Sequence, residues 1–177
     1  MTQASAKAAS YPAIVRLLHW LVAPLVFIEF ALGWAMPRLT PESTPTGVTG
    51  WHLSVGALLL AMMVVRVVCR LIYEPDLCVM PASCRRVTTM THFALYVTLF
   101  AVLVTGWADS SSRGWFVRLL GFLFYPLITG RHSPVGNALG LVHVWLTWVL
   151  LALSVAHIAH ALFHRFVLRD DVLRRIM

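Results

Sequence analysis

Four histidines fall inside stretches that are otherwise apolar enough to cross a lipid bilayer. His143 and His157 lie 14 residues apart in "LVHVWLTWVLLALSVAH". In an α-helix this spacing gives about 21 Å of rise and about 1400° of rotation, so both side chains lie within about 40° of one face. His19 and His52 stand near the starts of two other apolar stretches. Ionisable side chains inside a membrane are costly and usually face the interior of a helix bundle.

The four imidazoles can be paired by their depth in such a bundle. His52 begins its stretch level with His143, and His19 begins its stretch level with His157. Bundle cores build cofactor sites from side chains on facing helices, and haem iron accepts axial histidine readily. The pairs therefore predict two haems with two histidine ligands each, which would carry electrons because no position is left for oxygen. The residue four positions after each histidine is small, which favours room for a flat macrocycle: Ala23, Gly56, Thr147 and Ala161.

Composition places these histidines in a membrane protein. The chain has 177 residues, of which 59% are hydrophobic and 12% charged, and its mean hydropathy is +0.79. A water-soluble domain carries about twice that charged fraction. A transmembrane helix needs about 20 mostly apolar residues, and four stretches qualify: about 17–36, about 52–72, about 91–108 and about 141–163. We therefore predict one all-α domain over residues 1–177, a transmembrane four-helix bundle, in which residues 114–130 form a short interfacial or re-entrant segment between helices three and four.

The positive charges predict the orientation of the bundle. Four spans put both termini and the loop between spans two and three on one side, here called the inner side. Ten of the 14 basic residues lie there: Lys7, Arg16, Arg66, Arg70, Arg85, Arg86, Arg165, Arg169, Arg174 and Arg175. The outer side has Arg38, Arg113, Arg118 and Arg131. The positive-inside rule then predicts that both termini are cytoplasmic. The basic residues show no pattern typical of nucleic-acid binding, so the net charge of +7 does not indicate a nucleic-acid partner.

Several other polar residues have both a functional and a structural interpretation. Arg66 and Arg70 follow the helical face of His52 to the inner end of span two, where they could bind haem propionates or a quinone head group, or simply anchor the helix. Glu29 lies about 15 Å beyond His19 and about 80° away from its face. We expect it to be hydrogen-bonded in a structural role rather than to touch haem, with a proton path as the alternative.

Two further groups of side chains bear on metal chemistry. The cysteines form neither a C-x-x-C pair nor a covalent haem motif, and we expect ordinary thiols at Cys69, Cys78 and Cys84. Zinc is a weaker alternative to haem, because its sites need three or four clustered ligands and the histidine pairs are too far apart to share one ion.

Longer stretches of the chain resemble a known family. The segments "LLHWLV", "WHLSVGALLLAMMVVRVVCRL", "THFALYVTLFAVLVTGW", "GLVHVWL" and "HIAHALFHRFVLRDDVLRRIM" are similar to those of the bacterial four-helix cytochromes b561. The resemblance runs over nearly the whole chain from Tyr11 and is strongest to the branch that includes superoxide oxidase. It is loosest over "GWADSSSRGWFVRLLGFLFYPLITGRHSPVG", on the outer side, where a donor would arrive.

The resemblance implies a location in the bacterial inner membrane, a ligand set, a cofactor and a reaction. The family's axial ligands fall on His19, His52, His143 and His157, holding two b-type haems that exchange electrons with membrane quinone. The superoxide oxidase branch implies that superoxide is oxidised to dioxygen while ubiquinone is reduced. His164 matches a histidine of the family's terminal motif, so it is a candidate quinone ligand or proton donor, with a histidine at the lipid head groups as the alternative.

Other functional hypotheses remain open from the sequence. The chain could be an electron-transfer subunit for a partner dehydrogenase or a periplasmic redox protein, with no substrate of its own. A haem-free transporter or assembly factor is disfavoured, because the histidine pairs would then be coincidental. The basic outer loop, with Arg113, Arg118, Arg131 and His132, could steer superoxide or an acidic donor protein, or simply face solvent and head groups. For His160 no role is predicted, and for His92 we expect a place at the head-group boundary.

Overall fold

The computed structural model describes residues 12–40, 43–73, 82–119 and 122–169, which form four long helices and one short hairpin. The helices are α1 (Ala13–Ala35), α2 (Gly47–Ile72), α3 (Ala82–Ser112) and α4 (Pro134–Phe163), and α4 continues as a π-helical turn over His164–Leu168. All four are long and apolar enough to cross a membrane. The predicted all-α transmembrane bundle is confirmed.

All four helices begin earlier than the hydropathy of the sequence predicts, and the difference is largest for α3 and α4. Helix α3 begins at Ala82 rather than near residue 91, and α4 begins at Pro134 rather than near residue 141. Hydropathy marks only the part of a helix that is suited to lipid, whereas backbone hydrogen bonding continues into polar sequence. The Ser133 side chain accepts a hydrogen bond from the Gly136 amide at 3.4 Å, and proline is well suited to the first helical position. The start of α4 is therefore capped.

Glycines allow α3 and α4 to pack closely at their shared end. A Cβ atom at Gly140 would lie 2.6 Å from Oδ1 of Asp109, and one at Gly136 would collide with the Ser112 side chain. Small residues at helix interfaces let backbones approach in this way. The first part of α4, residues 134–140, is therefore tightly packed against the end of α3.

The four helices form two packed pairs. Helix α1 packs along α2 and α3 packs along α4, and the pairs also meet between α2 and α3. The core between them takes residues from every helix: Val22, Val26, Leu59, Met63, Leu99, Val102 and Leu150. Leu150 is midway along the chain between His143 and His157. This apolar core therefore separates an outer end, with His52 and His143, from an inner end, with His19 and His157.

The outside of the bundle is apolar as well. Large hydrophobic side chains such as Leu71, Phe93 and Trp145 are exposed by 76%, 65% and 73%. A helix bundle surrounded by lipid exposes such side chains because lipid tails are as apolar as they are. The surface therefore agrees with the four candidate membrane spans.

Residues 115–129, here called the outer segment, contain a small hairpin. Strand β1 (Arg118–Leu119) pairs antiparallel with β2 (Leu123–Phe124), and β1 packs on α2. The Trp107 indole donates a hydrogen bond to the Pro126 carbonyl at 3.0 Å, and the Thr129 hydroxyl donates to the Ala108 carbonyl at 2.9 Å. The segment predicted to be interfacial or re-entrant is thus a hairpin tied to the outer end of the bundle. Its position relative to lipid stays a prediction.

Some sequence predictions fall outside the described residues. These include Cys78 and the basic residues Lys7, Arg174 and Arg175, together with the side chains of Cys84 and Arg85. Cys69 is a half-buried free thiol, as expected.

Candidate functional site

The outer end brings the rings of His52 on α2 and His143 on α4 together, edge to face. Their ring centres are 6.2 Å apart and their planes are inclined by 80°. An imidazole nitrogen binds a metal at about 2.0 Å and lies about 1.1 Å from its ring centre, so two imidazoles on opposite sides of one iron have centres about 6.2 Å apart. The observed separation therefore suits two axial ligands of one haem.

His143 is held in one tautomer by the backbone of α3. Its Nδ1 lies 2.8 Å from the Val102 carbonyl oxygen. A carbonyl only accepts, so Nδ1 carries the hydrogen and Nε2 keeps the lone pair that a metal needs. Gly106, one turn further along α3, makes this approach possible, because a Cβ there would lie 2.9 Å from both Cε1 and Nδ1 of His143. Sequence reasoning missed Gly106, although a glycine inside an apolar span is a usable signal of close packing.

His52 has a carboxylate beside the equivalent nitrogen. Its Nδ1 lies 2.7 Å from Oε2 of Glu29 on α1, although the ring N–H is not aligned with that oxygen. The side chains of His52 and Glu29 are 20% and 14% exposed. The sequence predicts a hydrogen-bonded Glu29 that need not touch haem, and the structure places its carboxyl group beside a candidate haem ligand. The angular offset of Glu29 from His19 does not reveal this contact, because His52 lies on the neighbouring helix.

A cavity of about 510 Å³ lies between these imidazoles. Its walls include His52, His143 and Glu29, together with Gly56 and Thr147, the small residues one turn after each histidine. Cofactor pockets typically measure about 300–1,000 Å³ and are mostly apolar with a few convergent polar groups. The cavity, the ring separation and the free Nε2 of His143 together fit a haem bound between α2 and α4.

The outer segment and the end of α3 close the mouth of this cavity. The Tyr125 hydroxyl donates to the Ala57 carbonyl of α2 at 3.0 Å, and its ring meets Trp107 edge to face with centres 5.3 Å apart. Desolvation raises the pKa of Tyr125, so the phenol keeps its proton. Arg113 also lines the cavity, and its Nε donates to Oδ2 of Asp109 at 3.0 Å. The mouth therefore combines aromatic rings with a paired cation.

At the inner end, Arg66 joins three helices. Its Nη2 lies 3.1 Å from Nδ1 of His19 on α1, and its Nε donates to the Tyr96 hydroxyl on α3 at 2.8 Å. A guanidinium only donates, so Nδ1 of His19 acts as the acceptor. Arg70, one turn further along α2, is half-buried. Sequence reasoning placed Arg66 at this end but missed Tyr96, for which the only signal was a hydroxyl within an apolar span.

His157 has a ring contact with His92, a histidine that the depth pairing did not connect to it. Its ring centre lies 5.4 Å from that of His92 on α3, with planes inclined by 60°. We had expected His92 at the head-group boundary, but it packs between helices beside a candidate ligand. His160 and His164 contact each other with ring centres 4.4 Å apart, and His164 is only 6% exposed. The alternative of an exposed head-group histidine therefore does not describe His164.

Within the residues that the structure describes, no three or more His, Cys, Asp or Glu side chains cluster around a point that could hold a metal ion. The histidines meet in pairs at opposite ends of the bundle instead. This arrangement suits axial ligation of haem better than the three or four clustered ligands of zinc.

Comparison with known proteins agrees with this geometry. Residues 10–177 match the family model described as prokaryotic cytochrome b561. "Cytochrome b561 homolog 2" of Escherichia coli K12 is 32% identical over 181 residues, covering 94% of this chain and 90% of the relative. "Cytochrome b561 homolog 1" of the same organism is 27% identical, covering 90% and 92%. "Probable superoxide oxidase CybB" of Yersinia pestis is 26% identical, covering 90% and 91%. The chain therefore belongs to the prokaryotic cytochrome b561 family, multi-pass inner-membrane proteins that transfer electrons by means of haem b.

Proposed function

We propose that this chain holds two haem b groups, one between His52 and His143 and one between His19 and His157, and that it exchanges electrons with the quinone pool. The observation that carries the proposal is the outer histidine pair, whose ring centres stand 6.2 Å apart beside a cavity of about 510 Å³. The resemblance in sequence adds the second pair. Bound haem supplies one-electron redox chemistry, and two histidine ligands leave its iron no open position.

The protein's own residues hold and shield the cofactors. Val102 and Gly106 fix the His143 ring so that Nε2 faces away from α3. The apolar core around Leu59, Met63 and Leu150 separates the two ends and excludes water from the space between them.

The inner end is the proposed quinone side. Arg66 and Arg70 would bind haem propionates or a quinone head group, because guanidinium matches carboxylate and carbonyl oxygens. The Tyr96 hydroxyl supports this role by holding Arg66 at 2.8 Å. His164 is the candidate quinone ligand or proton donor. Ten of the chain's 14 basic residues lie on this side, which supports cytoplasmic termini.

The proposed substrate is superoxide. Two superoxide ions would each give up one electron and leave as dioxygen, and ubiquinone would take two electrons and two protons to become ubiquinol. The name of the Yersinia pestis relative supports this reaction. Arg113, Arg118 and Arg131 make the outer side basic, which would attract an anion and raise its encounter rate in a salt-dependent way.

A second candidate function is an electron-transfer subunit that serves a partner dehydrogenase or a periplasmic redox protein. One observation favours it. The relative that is 32% identical is named only as a cytochrome b561 homolog, whereas the relative named for superoxide oxidation is 26% identical.

Stopped-flow reduction by superoxide separates these two functions. The purified protein in detergent is mixed with a superoxide pulse, with and without ubiquinone, while haem absorbance and quinol formation are followed. Fast reduction that superoxide dismutase abolishes, with quinol formed in proportion, supports the oxidase. Slow reduction that does not depend on quinone removes the oxidase and leaves the electron-transfer subunit.

A further inference from the structure

We propose that Glu29 is a positioning residue for His52, setting the tautomer and ring orientation of this ligand and thereby the affinity and potential of the outer haem. The inference rests on the proposed function, in which His52 and His143 hold that haem. Its starting point is the 2.7 Å separation between Oε2 of Glu29 and Nδ1 of His52.

The surroundings of Glu29 make it an unusual residue for its location. It lies inside a membrane-spanning helix and is 14% exposed, and its Oε1 is buried without a hydrogen-bond partner in the described part of the chain. A carboxyl group in such a position is costly and is by default a functional candidate. The polar contact that the structure gives this side chain is the one with His52.

The backbones of α1 and α2 leave space for this pair from both sides. Gly33, one turn after Glu29, would place a Cβ 3.7 Å from Cε1 of His52. Gly56, one turn after His52, would place a Cβ 3.7 Å from Oε2 of Glu29. The glycine one turn beyond each member of the pair thus lies beside the other member, where an added Cβ would make ordinary van der Waals contact. The local sequence of both helices is therefore compatible with a close Glu29–His52 contact.

The chemistry of the contact follows from the position of the acceptor. An oxygen beside Nδ1 favours the hydrogen on that nitrogen even though the N–H is not aligned with it, so Nε2 is left to bind metal. A carboxylate also makes the imidazole more basic, which favours oxidised over reduced iron and lowers the midpoint potential. His143 has a neutral carbonyl acceptor, Val102 O, in the same role. The two ligands of one haem therefore have acceptors of different strength.

The test compares Glu29→Gln, Glu29→Met and Asp109→Asn in the full-length holoprotein. Glutamine keeps an oxygen acceptor, methionine keeps the volume without one, and Asp109 is a carboxylate on the same cavity wall that pairs with Arg113 instead. We expect Glu29→Met to raise the outer midpoint potential, to change the EPR g-values of the oxidised haem, and to speed haem loss to an acceptor protein by about 10–100-fold. Glu29→Gln should shift each quantity in the same direction by less, while the inner haem stays unchanged.

Three results would overturn the inference. The first is that Glu29→Met and Glu29→Gln leave potential, g-values and haem retention of the outer site as in the wild type. The second is that Asp109→Asn shifts the outer potential as much as Glu29→Gln, since any charge on the wall would then act equally. The third is that the haem content of the protein does not depend on His52. This result would remove the proposed function as well, and a measurement of haem content alone recognises it.

Discussion

The outer and inner ends of the bundle hold their histidines in opposite ways. At the outer end, both imidazoles have Nδ1 beside an oxygen, from Glu29 for His52 and from Val102 for His143. At the inner end, Nδ1 of His19 faces a donor, the guanidinium of Arg66, at 3.1 Å. The outer rings stand 6.2 Å apart beside a cavity, whereas His157 is packed 5.4 Å from His92.

This difference has a consequence for metal binding. A neutral imidazole has one hydrogen, and the partner of Nδ1 decides where it lies. The outer partners keep it on Nδ1, which leaves Nε2 free for iron. Arg66 instead favours the hydrogen on Nε2 of His19, so this residue must lose the Arg66 contact before Nε2 can bind. The outer end is therefore preorganised for haem, and the inner end requires Arg66 to move.

The largest expected effects come from removing the ligands themselves. His52→Ala and His143→Ala should each abolish the outer haem, and His19→Ala and His157→Ala the inner one, lowering haem per polypeptide from two to one. Pyridine haemochrome assays and redox titrations measure the loss and identify which potential disappears.

His92→Ala is the matched control for the inner end. It should keep both haems and change only the inner spectrum, because His92 contacts His157 without being the predicted ligand. If His92→Ala loses the inner haem and His19→Ala retains it, the ligand opposite His157 is His92, and the assignment of His19 is wrong.

Gly106→Ala should weaken the outer haem without removing a ligand. The added Cβ would lie 2.9 Å from Cε1 and Nδ1 of His143, so the ring must shift away from Val102. Overpacking of this kind costs about 1–3 kcal/mol, which corresponds to about 5–150-fold faster haem loss if the strain falls on the bound state. Gly130→Ala is the control, because a Cβ there meets nothing within 4 Å. Equal haem retention in both variants would contradict the role given to Gly106.

Arg66→Gln should alter the inner end alone. Removing a cation near the iron favours the oxidised form, so the inner midpoint potential should fall. The fall is about 59 mV if the equilibrium between oxidised and reduced iron changes tenfold. Redox titration of the two haems measures this shift directly. An unchanged inner potential, or an equal fall at the outer haem, would argue against the place given to Arg66 beside the inner haem.

The smallest expected effect is that of Tyr125→Phe at the mouth of the outer cavity. Losing the hydrogen bond to Ala57 should cost about 1 kcal/mol, or about 2–4 °C in the unfolding temperature at neutral pH. Because the pKa of Tyr125 is raised in the folded protein, its contribution is complete below about pH 10 and is lost as pH rises through the raised value. Thermal unfolding of wild type and variant should therefore converge at strongly alkaline pH. A difference that grows with pH would contradict the hydrogen bond.

The structural features that the sequence predicted well are those set within a single helix. Lipid requires about 20 apolar residues per span, so the four helices could be located, and the 14-residue spacing of His143 and His157 fixes their relative face and depth within α4. Comparing the depths of the histidines in the bundle likewise paired His52 with His143. The helices begin earlier than predicted, because hydropathy does not detect helical turns in polar sequence.

The parts that sequence missed depend on how neighbouring helices are rotated. Which group meets Nδ1 of each imidazole is decided by the phase of the adjacent helix, and no periodicity within one helix contains that information. Glu29, Gly106 and Tyr96 were therefore not connected to His52, His143 and Arg66 from spacing alone. The same limit applies to the outer segment, where a hairpin forms because Trp107 and Thr129 tie it to α3.

Haem per polypeptide in the purified wild-type protein is the most direct test of the central claim, that two pairs of histidines each hold a haem b. The account predicts two haems for each chain, with two resolved midpoint potentials, and retention of the outer haem under dilution that releases the inner one. A colourless protein, or a single haem whose content is unaffected by His52→Ala and His143→Ala, would contradict it.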